Sequence, residues 1–472
     1  MKKMTKIAAF VGASLLASGA HAADWNVTQT ADVTVPAPSM TQGAVTNVAS
    51  SNQALNGIAL DNTEDDLASG SQTANLASSV GVNLNQGAFV DASNQAINFI
   101  DGQNIGSTSV ISQVVNQTDV STTSLTQSDT SSAGANVQAA NLANATVDID
   151  RLVQDYNESG ELEMTQSVMT TSGNVQGVNY AKGVNVATVG LTQSIDVDGE
   201  ARMTQGAGNS GGSNTQVGNG AVATTGELDE TVQSFTATTN DLIVTQAVSG
   251  TNNVQATNFM KTEVGGDIGV SAGSTIQTTT IASGDAIFEQ TASASNNIQA
   301  GNLASSDGDI ADLTQSFIAS GAQAVDFDQT PTASSNVQAG NMAVLATGTT
   351  DSIDEISQSF IGSNLVTDFN QESASSTLIQ AGNLIDITNG NIDDSGTTQS
   401  FTVGGGALSM AQNGLSAASG NLQALNAIVD NAGSGSGGTV SQVLNVTAAT
   451  FSMVQDNITG SGQYGNFVGV KF

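Results

Sequence analysis

The chain has 472 residues, with 8 Lys and Arg against 42 Asp and Glu, a formal charge of −34, one His and no Cys. Only 4% is aromatic, and small or uncharged polar residues dominate, which excludes the several large apolar cores that this length would otherwise suggest. Two classes remain: a polar disordered chain, or a repetitive β architecture whose rows of side chains stack.

At the N-terminus, Lys2, Lys3 and Lys6 precede an apolar run from Ile7 to Leu16, and Ala20-His21-Ala22 has the form of a cleavage site. Together these predict a secretory signal peptide over residues 1–22, because the apolar run is shorter than the ~20 residues a spanning helix needs. The expected product is secreted, to the extracellular space or cell surface, with no membrane span after cleavage. From residue 23 onward the cations are Arg151, Lys182, Arg202, Lys261 and Lys471, which against all 42 acids leave a net charge of −37. Nucleic acid is an unfavourable partner for such a surface. The lack of Cys and of any further His excludes Ser-His-Asp and Cys-His catalysis, His or Cys zinc sites and disulfides.

Residues 23–472 read as one repeat array. A first segment, seen as Leu313-Thr314-Gln315-Ser316-Phe317 and again around Gln358 and Gln399, places its Gln at residues 29, 72, 113, 154, 193, 233, 277, 315, 358, 399 and 442. A second follows 12 to 14 residues later, as in Phe288-Glu289-Gln290, Phe327-Asp328-Gln329 and Phe369-Asn370-Gln371. A third has the form Gln-x-x-Asn: Gln95 and Asn98, Gln138 and Asn141, Gln176 and Asn179, Gln255 and Asn258, Gln299 and Asn302, Gln338 and Asn341, Gln380 and Asn383. The period is near 41 residues and accounts for eleven units. A phase held this long is the signature of a solenoid, propeller or array rather than of disorder.

Within each segment the Gln shares parity with apolar residues, as Leu313, Gln315 and Phe317 do, so each reads as a short strand with its amide facing inward. An unpaired inward amide would be costly, but in a parallel β-solenoid each Gln lies ~4.8 Å above its equivalent and the amides form a ladder. The prediction is all-β: a parallel β-solenoid of about eleven coils, about 41 residues and three short strands per coil. A propeller suits the repeat length but not three strand signals in each of eleven units. Gln and Asn of the third segment have opposite parity, so both face inward only if the chain bends between them.

Elements such as Ser293 to Asn302 and Ser334 to Asn341, with Ser, Gln and Asn at regular offsets, resemble the fibre subunits of bacterial functional amyloids, both curlin repeats and the Asn/Gln-rich repeats of pseudomonads. The resemblance covers the general character of the array; curlin repeats are about half as long. It implies secretion, stacked β-arch or solenoid coils, end-to-end polymerisation and a place in biofilm matrix.

The expected activity is therefore self-association, with itself as partner and a nucleator or secretion machinery as further partners. A solenoid ends in unpaired strand edges that template another copy. The alternatives are a monomeric rod, with Asp24-Trp25 and residues 465–472 folded over its ends, acting as a surface adhesin or as a ligand- or ice-binding rod. A polysaccharide-cleaving β-helix enzyme ranks lower, since no carboxylate pair has a defined spacing about a bond. No cofactor is expected. Acids gather before the first segment, at Asp148 and Asp150, Asp307, Asp309 and Asp312, or Asp351, Asp354 and Glu355, where they would repel between coils; calcium could bridge them, but the sequence has no Asp-x-Asp-x-Asp-Gly loop.

Overall fold

Alternation of apolar and polar residues sets the strands. In Leu313–Ala319, Leu313, Gln315, Phe317 and Ala319 are buried while Thr314, Ser316 and Ile318 lie toward solvent. The computed structural model describes residues 24–34, 39–42, 51–60, 66–77, 82–87, 93–118, 122–132, 136–170, 173–206, 212–238, 241–270, 273–292, 295–321, 324–330, 335–346, 351–363, 366–373, 377–388, 390–392, 396–418, 421–430, 439–458 and 461–469. The signal-peptide residues 1–22 lie outside them, as do Ser293 and Ser334. Among the described residues there is no helix, hence none long and apolar enough to cross a membrane.

Every strand pairing in the described residues is parallel, and each joins a strand to one about forty residues further on. In the first row, Gln277 pairs with Gln315, Gln315 with Gln358 and Gln358 with Gln399. In the second, Gln290 pairs with Gln329 and Gln329 with Gln371. The third row forms a separate twelve-stranded sheet in which Gln299, Gln338, Gln380 and Gln423 are successive partners. The first two rows belong to one twenty-stranded sheet, joined where Thr397–Ala418 and Val440–Ile458 run unbroken through both. The architecture is all-β and solenoid-like. Parallel pairing at this spacing requires a long connection between partners, which the other two rows supply.

The interior is filled by columns of like residues. Phe288, Phe327 and Phe369 stack with ring centroids 4.7 and 5.0 Å apart, and Phe317, Phe360 and Phe401 at 5.2 and 4.8 Å, all with nearly parallel planes. The two columns meet at tilted contacts of 5.9 and 6.0 Å. Vertical spacing is imposed by the backbone ladder, so identical rings stack offset without adjusting the chain.

A shorter fourth row also occurs. Leu67, Ile105 and Ile149 bridge in sequence, as do Val186, Leu228, Ile268, Ile310 and Ile353, and all are fully buried. These single apolar residues lie just before the first strand, several of them flanked by acids, and form a second core with Leu152, Leu191 and Leu313. The turn is thus itself part of the stack, in addition to the three strands expected per repeat.

Candidate functional site: the amide ladders and the terminal rungs

The Gln rows pair by side chain as well as by backbone. Gln315 donates from Nε2 to Gln277 Oε1 at 2.7 Å, Gln358 to Gln315 at 2.8 Å and Gln399 to Gln358 at 2.8 Å. Their second N–H bonds go to the carbonyls of Met342, Leu384 and Ala427 in the third row. In the second row, Gln290, Gln329 and Gln371 each donate to the Gln before them at 2.7 Å. In the third row, the bonds made by Gln95, Gln138, Gln176, Gln255, Gln299, Gln338 and Gln380 to the preceding Gln are 2.8 to 3.0 Å. Paired amides of this kind remove the penalty of burying them.

The Asn of the third segment forms its own ladder in the opposite sense. Asn98 donates to Asn141, Asn141 to Asn179, Asn258 to Asn302, Asn302 to Asn341, Asn341 to Asn383 and Asn383 to Asn426, each at 2.8 Å, and Asn179 donates to Asn219 at 2.9 Å. Gln and Asn both face inward because the strand bends. The backbone register omits the residue two after the Gln, so Ala139 pairs with Gly177 and Asn141 with Asn179 while Ala140 has no partner in the register.

The bend also explains its residues. A Cβ at Gly301, Gly340 or Gly382 would lie 2.2 to 2.4 Å from the ring of Phe317, Phe360 or Phe401. Where the first strand carries Val115 or Ile195 instead of Phe, the bend holds Ile97 or Val178 in the same core. At Thr257 the complement is Thr279, their hydroxyls 2.5 Å apart. Volume is conserved across the corner although neither partner is constant.

A further amide row was not anticipated. Asn136, Asn174, Asn214, Asn253, Asn297 and Asn336 donate each to the next over 2.8 to 3.3 Å. The row stops at Leu378, whose backbone N–H donates to Asn421 Oδ1. Its signal is an Asn two residues before the Gln in six consecutive repeats.

The turn acids do more than repel. Asp66 accepts from Asn104, Asp148 from Asn185, and Asp267 and Asp309 from the backbone N–H of Asp309 and Ser352 on the following rung. The strand face carries the clearer electrostatic strain. Burial pushes Asp326 up to about 6, and Asp368, Asp328 and Glu289 beside it add to the rise. Asp328 is raised for the same reasons, burial first and then Glu289. Among the described residues no three carboxylates or imidazoles converge as a metal site.

One buried acid stands apart. Glu158 lies four residues after Gln154, where other repeats place apolar residues such as Val197, Ile281 and Ala319. Burial raises its carboxyl to about 8, while the Tyr156 hydroxyl, donating at 2.7 Å, pulls the other way. Its Oε1 has no hydrogen-bond partner among the described residues.

Among the described residues, the first and last rungs pair along one edge. Asp24–Val33 pairs only with Asp66–Leu76 among the described residues, and Val440–Ile458 only with Thr397–Ala418. Inward residues at the C-terminal rung are uncovered: Leu444 is 39% exposed and Phe451 50%, although their partners Phe401 and Leu408 are buried. No family model, no curated protein and no solved structure matches this chain.

Proposed function

We propose that the protein is a secreted structural subunit that polymerises end to end into extracellular, amyloid-like fibres or matrix. In this reading residues 23–472 form a rod of eleven coils, each about 41 residues long. At ~4.8 Å per coil the rod is roughly 50 Å in length. The observation that carries the proposal is the uncovered terminal rung, with open strand edges and inward apolar residues that no other described residue covers. Such an edge pairs with another strand unless something blocks it, and a second copy offers a rung of matching residues.

The likeness to bacterial functional-amyloid subunits supports the same reading, as does an interior made of stacked identical side chains. The activity is assembly rather than catalysis, with no cofactor. The carboxylates on the strand face and in the turns act as gatekeepers that slow association while ionised. The test is seeded growth followed by thioflavin fluorescence. Sonicated fibres are expected to abolish the lag of fresh protein, with growth faster at pH 4 than at pH 8. A chain that stays monomeric with seeds at both pH values contradicts the proposal.

A further inference from the structure

Each amide ladder has a direction, and the two kinds of ladder run oppositely. Each Gln–Gln ladder bond among the described residues runs from the later Gln to the earlier one, as Gln72 donates to Gln29 and Gln95 to Gln53. Each corner Asn donates toward the C-terminal side, as Asn56 does to Asn98 and Asn426 to Asn466. The orientation of an amide is set by the carbonyl oxygens its nitrogen faces, such as Phe99 O for Gln72 and Val114 O for Asn98, so each row is locked in one sense.

The two ends of the stack are consequently different. At the first rung, Gln29 Nε2 donates to the Gly57 carbonyl and to no preceding Gln, and Gln53 Nε2 reaches only the carbonyls of Met40 and Asn85. Asn56 donates twice, and its Oδ1 accepts from no other described residue. At the last rung the pattern is inverted. Gln442 and Gln463 donate to Gln399 and Gln423 and leave Oε1 outward, while Asn466 accepts from Asn426 and has a spare N–H.

Resting on the proposed end-to-end assembly, we infer that these amides set the polarity of the junction. The second copy docks its first rung on the last rung of the one before, so that Gln29 and Gln53 donate to Gln442 and Gln463 while Asn466 donates to Asn56. Head-to-tail contact satisfies all three rows at once and continues the spacing found between every internal pair of rungs. Where each row meets its own equivalent, head-to-head contact sets Gln N–H groups against each other and Asn56 Oδ1 against Asn56 Oδ1, and tail-to-tail contact sets Oε1 against Oε1 and Asn466 N–H against Asn466 N–H. Desolvated polar groups of like kind are a strong discriminator between such arrangements.

The test uses two isosteric variants at pH 8. Gln29→Glu removes the outward donor at the first rung while keeping the oxygen that accepts from Gln72. Asn466→Asp does the same at the last rung and keeps the oxygen that accepts from Asn426. Sedimentation velocity is expected to show wild type polymerising, each variant alone monomeric, and an equimolar mixture forming a heterodimer through the two intact ends. Self-dimerisation of either variant alone overturns the polarity, since it requires a symmetric junction. Polymerisation of both at the wild-type rate also overturns it, because the end amides then do not govern docking. Failure of wild type to assemble sinks the fibre proposal itself, and the junction with it. The neutral variants Gln29→Met and Asn466→Leu remove the same N–H groups without adding charge. They are expected to slow growth at least tenfold at the matching end, and an unchanged far-UV circular dichroism spectrum verifies that the terminal rungs remain folded.

Discussion

Gln338→Leu tests whether the buried amides hold the stack. Gln338 donates to Gln299 Oε1 at 2.8 Å and to the carbonyls of Phe327 and Asn370, and accepts from Gln380 at 2.9 Å. Leu has a similar volume but leaves the Gln299 oxygen without a partner in a dry interior and removes one of the three acceptors around Gln380 Nε2, which keeps the carbonyls of Phe369 and Ala411. The orphaned oxygen costs about 1–3 kcal/mol and the hydrogen bonds lost with the amide about 1 kcal/mol more. Burial of the extra apolar surface offsets part of it, by about 1–2 kcal/mol. A net destabilisation of about 1–2 kcal/mol is therefore expected, concentrated on the neighbouring rungs because each repeat contacts only its neighbours. Hydrogen exchange of the amides in 297–306 and 378–387 reads this directly, with Ser316→Val on the outer face as the control. Protection in Gln338→Leu equal to wild type would refute the ladder as a source of stability.

At the corner, Gly340→Ala is expected to cost about 1–3 kcal/mol, since its Cβ would lie 2.4 Å from the Phe360 ring. In a Phe360→Val background, whose own cost is measured separately, the same change should be less costly in urea unfolding, and an unchanged cost would mean that the two do not share volume. Glu158 has a carboxyl raised from 4.5 to about 8. The unfolded chain therefore releases this proton at lower pH than the folded one, and stability falls as pH rises between those values. The change is up to ~5 kcal/mol, constant above pH 8. Glu158→Gln should flatten the dependence measured by local exchange between pH 5 and pH 9; an unchanged slope would assign it elsewhere. Asp326 is likewise raised, to about 6, so Asp326→Asn with Asp328→Asn should stabilise the strand face above that pH. The double variant should also narrow the difference in assembly rate between pH 4 and pH 8, and an undiminished difference would place the pH response in the turns.

The three Gln rows were legible because strand parity and a steady period together leave a buried Gln only one partner, its own equivalent. The bend between Gln and Asn followed from their opposed parity. What replaces a side chain at the bend did not, since Gly340 and Phe360 are twenty residues apart and meet only when the first strand crosses the corner. The fourth row was hidden by its composition. In Asp148-Ile149-Asp150 a single apolar residue lies between acids, which reads as a turn, yet Ile149 is fully buried. The Asn136 to Asn336 row carried a plain signal, Asn-x-Gln, that was masked by the stronger Gln-x-x-Asn beside it. Glu158 was also visible in principle, because four residues after a ladder Gln is an inward position.

In the proposed assembly, one molecule's last rung is completed by another molecule's first. Negative-stain electron microscopy of purified protein, incubated with and without preformed seeds, tests it most directly. Unbranched filaments of indefinite length that elongate from the seeds are predicted, with a repeat of ~4.8 Å along the axis in fibre diffraction. Monodisperse rods that persist at roughly 50 Å with seeds present would contradict it.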